Sequence, residues 1–567
     1  MADGNWTISE RVPVRFTGGR ARTGPATLGQ TNMVRSVGID DPAGSNARLI
    51  WEVPAGVDVA RLASVVTTLL LRHDSLRTTF PEAGRQSVAG EGSLEMSVYE
   101  ADDAYACADD VAPRLRAIRF DPATELPVRA SVITSHGVPA GLILILCHTA
   151  VDAASQSILR REVTALLTGE ELPPPAATQP VDLGETEQTP AGQRRIASAL
   201  RYWDDLLSTT PQAMFAVPGV GPTDWMLPRL TLRSTTAAPA LARIADRTGA
   251  GRATVVLAAL CALIGRRLGV RTAVVAMLAA NRLLPHLTDY VGTISQDALM
   301  SAELDVATFD ELVGRIRDRS LAAYRRSTFD SVALWNIIDG VAARRGTHWA
   351  RDCVFNDLTG LGQGSGPADV TDSAIRLEWL PAEAMPTRLM VWAVRLDDEV
   401  ELSVLADPGC LSTAEVEAFG SAIIRLIVEA ADQDIDLASS SVVASLEPVV
   451  RGDGWYLSDR CWIELAAVRQ LLDDVLDGRP NLVVAVPDPA FGHRLVCYVT
   501  GDHVAAERIH ADCVAALEMR PSAMAPHHYV LCSQAPADVT DVTAWQSLAV
   551  AERTGRAEPK VTVRPAN

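Results

Sequence analysis

The chain has 567 residues, 48% of them hydrophobic, and a formal charge of -19. That length exceeds what one hydrophobic core comfortably holds, so two to four structural units are expected, and the apolar content excludes disorder as the general state. The acidic balance argues against a nucleic-acid partner, which would want a concentrated basic face to neutralise phosphates.

The N-terminus, Met1-Ala-Asp-Gly-Asn-Trp6, lacks a basic region followed by an apolar core, and no apolar run reaches the length of a membrane span. A cytoplasmic protein without a membrane partner is expected. Residues 47–53 carry a short strand pattern and 57–71 a helical one, closing on Arg72-His-Asp-Ser-Leu-Arg77-Thr-Thr-Phe80. The stretch Phe120–Ile133 reads as a turn feeding a strand. A second strand, Leu142-Ile-Leu-Ile-Leu-Cys147, delivers His148 to its end, and Asp152 follows four positions later, ahead of a helix from about 153 to 167. A titratable imidazole at the mouth of a buried strand is placed for proton or hydrogen-bond chemistry.

Residues 169–180 carry four prolines in twelve positions, which neither a helix nor a central strand tolerates, and this is the expected connection between two lobes. A helix containing Arg201–Leu207 follows, then a second alternating region from about 228 to 435 that ends in an amphipathic helix over 413–428. A polar break lies near 434–453. Alternating strands and helices make the class α/β.

Nine cysteines are scattered singly between Cys107 and Cys532 with no C-x-x-C pair, which fits neither a disulfide framework nor a zinc site. No metal is expected. The single lysine, Lys560, stands in a polar tail, so phosphate-loop, Schiff-base and adenylate-forming lysine chemistry are all but excluded. The glycine-rich tract Asn356–Gly366 reads as a flexible surface loop, since no lysine follows it.

Taken together, these landmarks resemble condensation domains of nonribosomal peptide synthetases over roughly residues 10–435. The family signature of two histidines, three variable residues, aspartate and glycine stands here as Cys147-His148-Thr-Ala-Val-Asp152-Ala153. Arg72–Phe80 is similar to the family's Arg-His-Glu-x-Leu-Arg-Thr-x-Phe, Leu28-Gly29-Gln30 to its opening motif, and Phe120–Arg129 to its turn and strand. In the second half, Ala253-Thr254, Ala280-Asn281-Arg282 and Val291-Gly292-Thr-Ile-Ser295-Gln296 fall in the family's order. The resemblance implies two lobes like chloramphenicol acetyltransferase set in a V, with a tunnel for pantetheine arms.

It also implies roles. His148 matches the histidine at the reaction centre, either taking a proton from the acceptor or orienting the nucleophile and the tetrahedral intermediate. Asp152 matches a structural aspartate, whose expected partner is Arg282 first and Arg77 second. Cys147 replaces the first histidine and is expected to pack inward; Ala153 replaces the glycine and either narrows the approach to the thioester or alters the backbone. Ser295 and Gln296 are expected to line the tunnel, with a solvent-facing loop as the alternative for Gln296.

From about 453, Trp455–Val468, Asn481–Pro487 and His493–Val499 look like the small C-terminal subdomain of an adenylation domain, with Ile463-Glu464-Leu465 intact and Val542 at the place of the family's lysine. This piece is expected not to activate amino acids, and either packs on the condensation lobe and meets partners or is an inert appendage. The expected layout is a condensation N-lobe at 1–180, a C-lobe at 181–440, the adenylation-like remnant at 450–553 and a flexible tail at 554–567. The expected activity is that of a free-standing condensation enzyme joining an acyl group from a carrier-protein thioester, supplied in trans, to an amine or alcohol, with no bound cofactor beyond the carrier's phosphopantetheine arm. A coenzyme A-dependent acyltransferase and a catalytically inactive recruitment module are the alternatives.

Overall fold

The computed structural model describes residues 6–39, 41–223, 225–361, 375–501 and 505–555. The chain opens with strand β1 (Trp6–Phe16), helix α1 (Leu28–Ile39), strand β2 (Ala47–Glu52) and helix α2 (Val59–Arg72). Helix α2 starts where the Asp58 carboxylate accepts the Arg61 amide at 2.7 Å, and it buries Leu62, Val65, Val66, Leu69 and Leu70, one stripe at helical spacing. Strands β3 (Gly92–Ala101), β4 (Val128–Ser135) and β5 (Val138–Leu146) follow, then helix α3 (Ala153–Thr168). The strands form one sheet in the order β1, β3, β4, β5, β2, antiparallel except for the β3–β4 pair.

The apolar run of β5 serves both faces of this sheet. Leu142, Leu144 and Leu146 enter the core beneath α2 and α3, while Ile143, Ile145 and the following Cys147 enter the core with Tyr99, Cys107, Phe120 and Ile133. The period of two therefore decides which way Cys147 points.

Two compact units emerge. The first runs to Ala199 and takes in Leu278–Asp297 and Tyr324–Val332. The expected seam at residue 180 is thus displaced. The proline-rich stretch has no regular structure through 179, but Pro180 occupies the first turn of a helix, Pro180–Glu187, where its missing N–H costs nothing. That helix stays pinned to the first unit because Asp182 pairs with Arg22 at 2.5 Å and Gln179 accepts the Asp74 amide at 3.0 Å.

Helix α4 (Pro190–Thr209) carries the chain past Ala199 into the second unit. There β6 (Met226–Ser234), helix α5 (Arg252–Leu268), β7 (Thr272–Ala279), β8 (Gln296–Glu303), helix α6 (Ser331–Arg345), β9 (Cys353–Asp357), β10 (Arg376–Ala384), β11 (Leu389–Leu396), β12 (Val400–Ala406) and helix α7 (Thr413–Glu429) follow. Their sheet has the order β8, β7, β9, β11, β12, β6, β10. Of the glycine-rich tract, Asn356 and Asp357 end β9 and Thr359–Leu361 form a short 3-10 turn; the expected loop from 362 lies outside the described residues.

The C-terminal segment has a hairpin of β13 (Trp455–Ser458) and β14 (Cys461–Glu464), helix α8 (Leu465–Leu476) and a sheet of β15 (Asn481–Asp488), β16 (Gly492–Thr500), β17 (His528–Cys532) and β18 (Val550–Gly555). Its own core includes Val468, Leu471, Leu472, Val483, Leu495 and Cys497. It nevertheless belongs to the second unit, because its entry hairpin is held against helix ends there. Arg345, at the end of α6, donates from Nη1 to the Leu207 and Thr210 carbonyls at 2.6 Å each, and grips Asp459 at the hairpin tip through Nε to Oδ2 and Nη2 to the backbone oxygen, both at 2.8 Å. Asp459 and Arg460 both have positive φ, as a two-residue hairpin turn requires.

Arg451 repeats the device. It donates to the Leu268 carbonyl at the end of α5 and to the Ala216 carbonyl, each at 2.8 Å, with its guanidinium 4.8 Å from the Trp462 ring centre. Burial lowers its pKa to about 10, so it remains a cation at neutral pH, placed where the helix dipole is negative. The tail beyond Gly555, with Lys560, lies outside the described residues.

Candidate active site

His148 stands on the turn between β5 and α3, and the turn is tied at both ends. On the strand side, the Cys147 amide donates to the Pro127 carbonyl and the Ala150 amide to the Cys147 carbonyl, both at 3.0 Å. On the helix side, Asp152 is the N-cap of α3, accepting the Ser155 amide at 3.0 Å. The ring of His148 is half-buried; its Nδ1 is shut from solvent and has no hydrogen-bond partner among the described residues.

Asp152 is 1% exposed and fully committed. Arg282 donates to both of its oxygens at 2.8 Å, in the bidentate geometry that matches guanidinium to carboxylate. The Ile294 and Ser295 amides and the Ser295 hydroxyl add bonds to Oδ2 at 3.1, 3.2 and 3.1 Å. Burial alone would raise its pKa, but the Arg282 charge and hydrogen bonds, with the Ser155 and Ile294 amides, hold it below the usual value. Asp152 is therefore an ionised structural anchor. It has no lone pair left to orient His148.

Arg282 is aimed by Asn281, whose φ of 54° lies in the left-handed region that asparagine tolerates. The Asn281 amide donates to the Ile294 carbonyl at 2.9 Å, and the Ser327 hydroxyl donates to Asn281 Oδ1 at 2.6 Å. Arg77, the second expected partner of Asp152, is not there. It is buried beside Asp74, donates from Nε to the Leu70 carbonyl at 2.8 Å, and bonds the Ala89 carbonyl. Asp74, three residues earlier, claims the charge locally. The neighbouring Arg72 and His73 both bond Glu162, at 2.8 and 2.6 Å, and so tie the end of α2 to α3.

Cys147 is wholly buried; burial pushes its thiol pKa up, and Thr149 Oγ1 donates to the sulfur at 3.2 Å. That environment suits packing and disfavours a thiolate. Ala153 is the first residue of α3 and does not have a positive φ, so no glycine-only conformation is needed at this position. Ser295 is half-buried with its hydroxyl on Asp152. Gln296 is neither a solvent-facing loop residue nor a free tunnel amide: it begins β8, is 4% exposed, and engages both backbone groups of Phe329, donating to its carbonyl at 3.0 Å and accepting its amide at 3.2 Å. This strand-like pair of bonds to one residue fixes the plane of the side-chain amide.

Two residues carry weight that their sequence context did not show. Ser155, fully buried, contacts Asp152, Arg282 and Gly292; the only cue was its place three residues after an N-cap. Gly29 lets α1 approach the segment that serves Asp152, since a Cβ there would lie 2.2 Å from the Thr293 carbonyl oxygen. Among the described residues no cluster of three or more His, Cys, Asp or Glu side chains is arranged to hold a metal.

A family model for the condensation domain matches residues 39–340. The chain belongs to the condensation-domain family. Condensation domains of this family make amide bonds in nonribosomal peptide synthesis by acyl transfer from carriers bearing phosphopantetheine. Among similar sequences is phosphinothricin tripeptide synthetase PhsC of Streptomyces viridochromogenes, 27% identical over 308 residues, 49% of this chain and 28% of that protein. Surfactin synthase subunit 2 of Bacillus subtilis is 24% identical over 293 residues, 50% of this chain and 8% of that protein. The chain thus spans less than a third of these relatives' own length.

Solved structures agree on the two-lobed α/β fold of condensation domains. The condensation domain of the monacolin K polyketide synthase MokA superposes with a TM-score of 0.59 at 17% identity, covering 73% of this chain and 99% of that one. The X-domain from teicoplanin biosynthesis gives 0.57 at 18%, covering 73% and 96%.

Proposed function

We propose that the protein transfers an acyl or aminoacyl group from a carrier-bound pantetheine thioester to an amine or hydroxyl acceptor, with His148 at the reaction centre. The observation that supports this most is the His148 turn, pinned by Pro127 and by Asp152, in a chain of the condensation family. In the reaction the acceptor attacks the thioester carbonyl, a tetrahedral intermediate collapses, the C–S bond breaks as the amide or ester forms, and the acceptor's proton reaches the departing thiolate.

His148 does this without a carboxylate behind it. Since Asp152 is occupied and Nδ1 has no partner among the described residues, we read the imidazole as orienting the nucleophile and hydrogen-bonding the intermediate, a modest demand when the nucleophile is a neutral amine. The substitutions Cys147 and Ala153 do not argue for an inactive module, because the first packs in the core and the second fits a helical turn.

We propose further that the segment from 453 is an adenylation-type remnant that does not activate amino acids. Val542, at the lysine place, opens a short helix capped by Asp541, and the entry hairpin is docked through Arg345 and Arg451. Incubating the protein with acyl-carrier thioesters, acyl-coenzyme A and candidate acceptors, with mass detection, tests the whole reading. Product from the carrier donor is expected; product only from coenzyme A would make it a coenzyme A acyltransferase, and none from either would make it a recruitment module.

A further inference from the structure

The hydroxyl of Ser155 joins three stretches of chain: the first turn of α3, the Arg282 turn and the segment at Gly292. It is 0% exposed, lies 2.8 Å from the Gly292 carbonyl and 2.9 Å from Asp152 Oδ1 as donor, and accepts the Gly292 amide at 3.0 Å and Arg282 Nη2 at 2.9 Å. Asp152 Oδ1 already accepts Arg282 and the Ser155 amide, whereas the Gly292 carbonyl accepts only Arg282 Nη2 at 3.1 Å besides the hydroxyl and lies nearer to it, so the single hydroxyl proton is assigned to the carbonyl. The side chain thereby holds both backbone groups of Gly292, as a neighbouring strand would. Gly292 has no room for a side chain, since a Cβ would lie 2.5 Å from the Tyr290 ring.

We propose that Ser155 is a positioning residue that sets the spacing between the His148 turn and Ser295. The turn leads into Asp152; Ser295 reaches Asp152 from the other direction, two residues beyond Thr293. Ser155 closes that ring by fixing Gly292 relative to the first turn of α3. Without the hydroxyl, the Gly292 amide loses its partner in a buried place and the carbonyl keeps only Arg282 Nη2 at 3.1 Å, so the backbone from 292 to 295 must shift to satisfy the amide. His148 and Ser295 then no longer share one frame.

The kinetic arm of the test rests on the acyl-transfer reading; the chemical arm does not. Ser155→Ala, the near-isosteric Ser155→Cys and the hydroxyl-retaining Ser155→Thr would be made in the full chain. Carbethoxylation by diethyl pyrocarbonate would be followed by peptide mass spectrometry at His148, with exposed His136 as internal reference. The Ala and Cys variants are expected to stay folded and to change the His148 rate at least threefold relative to His136, with Thr returning it to within twofold of wild type. In the transfer assay the same two variants are expected to lose at least tenfold in kcat with KM within twofold. Unchanged His148 reactivity in folded Ala and Cys variants overturns the proposal, as does unfolding of both, which would make Ser155 a folding residue only. If wild type transfers nothing, the acyl-transfer reading fails while the His148 rates still decide the role of Ser155.

Discussion

Asp152 and Arg282 face one another through two 2.8 Å hydrogen bonds, with side chains 1% and 8% exposed. Removing the carboxylate leaves a buried guanidinium uncompensated, and breaking one side of such a pair costs about 3–5 kcal/mol. Asp152→Ala is therefore expected to lower the melting temperature or the soluble yield at least as much as it lowers turnover. Thermal melts beside activity check this, and a stable, soluble variant with selectively lost transfer would contradict it. The pH sign follows from the depressed carboxyl: its contribution is present above the ordinary aspartate pKa and is lost as pH falls through the lower folded value.

For His148→Ala the opposite balance is expected. The ring is half-buried and its Nδ1 bonds nothing among the described residues, so the fold gives up little when it goes. Transfer should fall by about 10²- to 10³-fold, the usual weight of one hydrogen-bonding group aimed at the tetrahedral intermediate. Wild-type melting with near-wild-type transfer would remove His148 from the reaction centre.

The placement of His148 was legible because an apolar run of period two must end somewhere, and Leu146 and Cys147 show both faces still buried just before it. The Asp152–Arg282 pair was legible because a buried carboxylate demands a cation. Arg77 was misassigned because a motif gives proximity along the chain without direction, and Asp74 lies within one turn of it. Gln296 was misjudged for a related reason: its partner, Phe329, is 33 residues away and no periodicity links them. Nothing in the sequence links Ser155 to its partner Gly292, which stands 137 residues further on. The seam at 180 failed because proline rules forbid the middle of a helix but favour its first turn.

Gly29→Ala tests why α1 carries a glycine inside a helix, where alanine is ordinarily the better helix former. A Cβ at this position would lie 2.2 Å from the Thr293 carbonyl oxygen and 2.9 Å from the Ile294 Cα, both backbone atoms that cannot rotate away. The variant is expected to lose about 1–3 kcal/mol by overpacking. A urea denaturation midpoint checks it, and a stabilised variant would mean that α1 does not press on this segment in solution.

In the second unit, Asp352 is 4% exposed and accepts the Met214 and Phe215 amides at 2.7 and 3.2 Å. Burial pushes its carboxyl up to about 6, outweighing those bonds and nearby Arg388. The folded state then binds a proton more tightly than the unfolded chain, so stability falls as pH rises from about 4 to about 6, by about 3 kcal/mol for a shift of about two units. Asp352→Asn keeps a carbonyl for both amides and does not ionise. It is expected to flatten that part of the stability profile and to match or exceed wild type at neutral pH. Chemical denaturation across pH 4–8 checks it, and parallel profiles for the two proteins would show that Asp352 is ionised in both states.

Arg345 joins the end of α4, through the Leu207 and Thr210 carbonyls, to Asp459 of the C-terminal segment. Those carbonyls are among the ones a helix end leaves without intrahelical partners, so the guanidinium satisfies them and complements the dipole at once. Arg345→Met keeps most of the volume and removes every donor. It is expected to cost about 2–4 kcal/mol, and hydrogen exchange should quicken together at 207–212 and at 455–464, because one cation holds both. Asp459→Asn retains a residue that accepts positive φ and loses only the charge, so its effect should be the smaller of the two. If Arg345→Met loosened the hairpin while 207–212 exchanged as in wild type, the helix end would not depend on this clamp, and the C-terminal segment would be a passenger on the second unit rather than a brace for it.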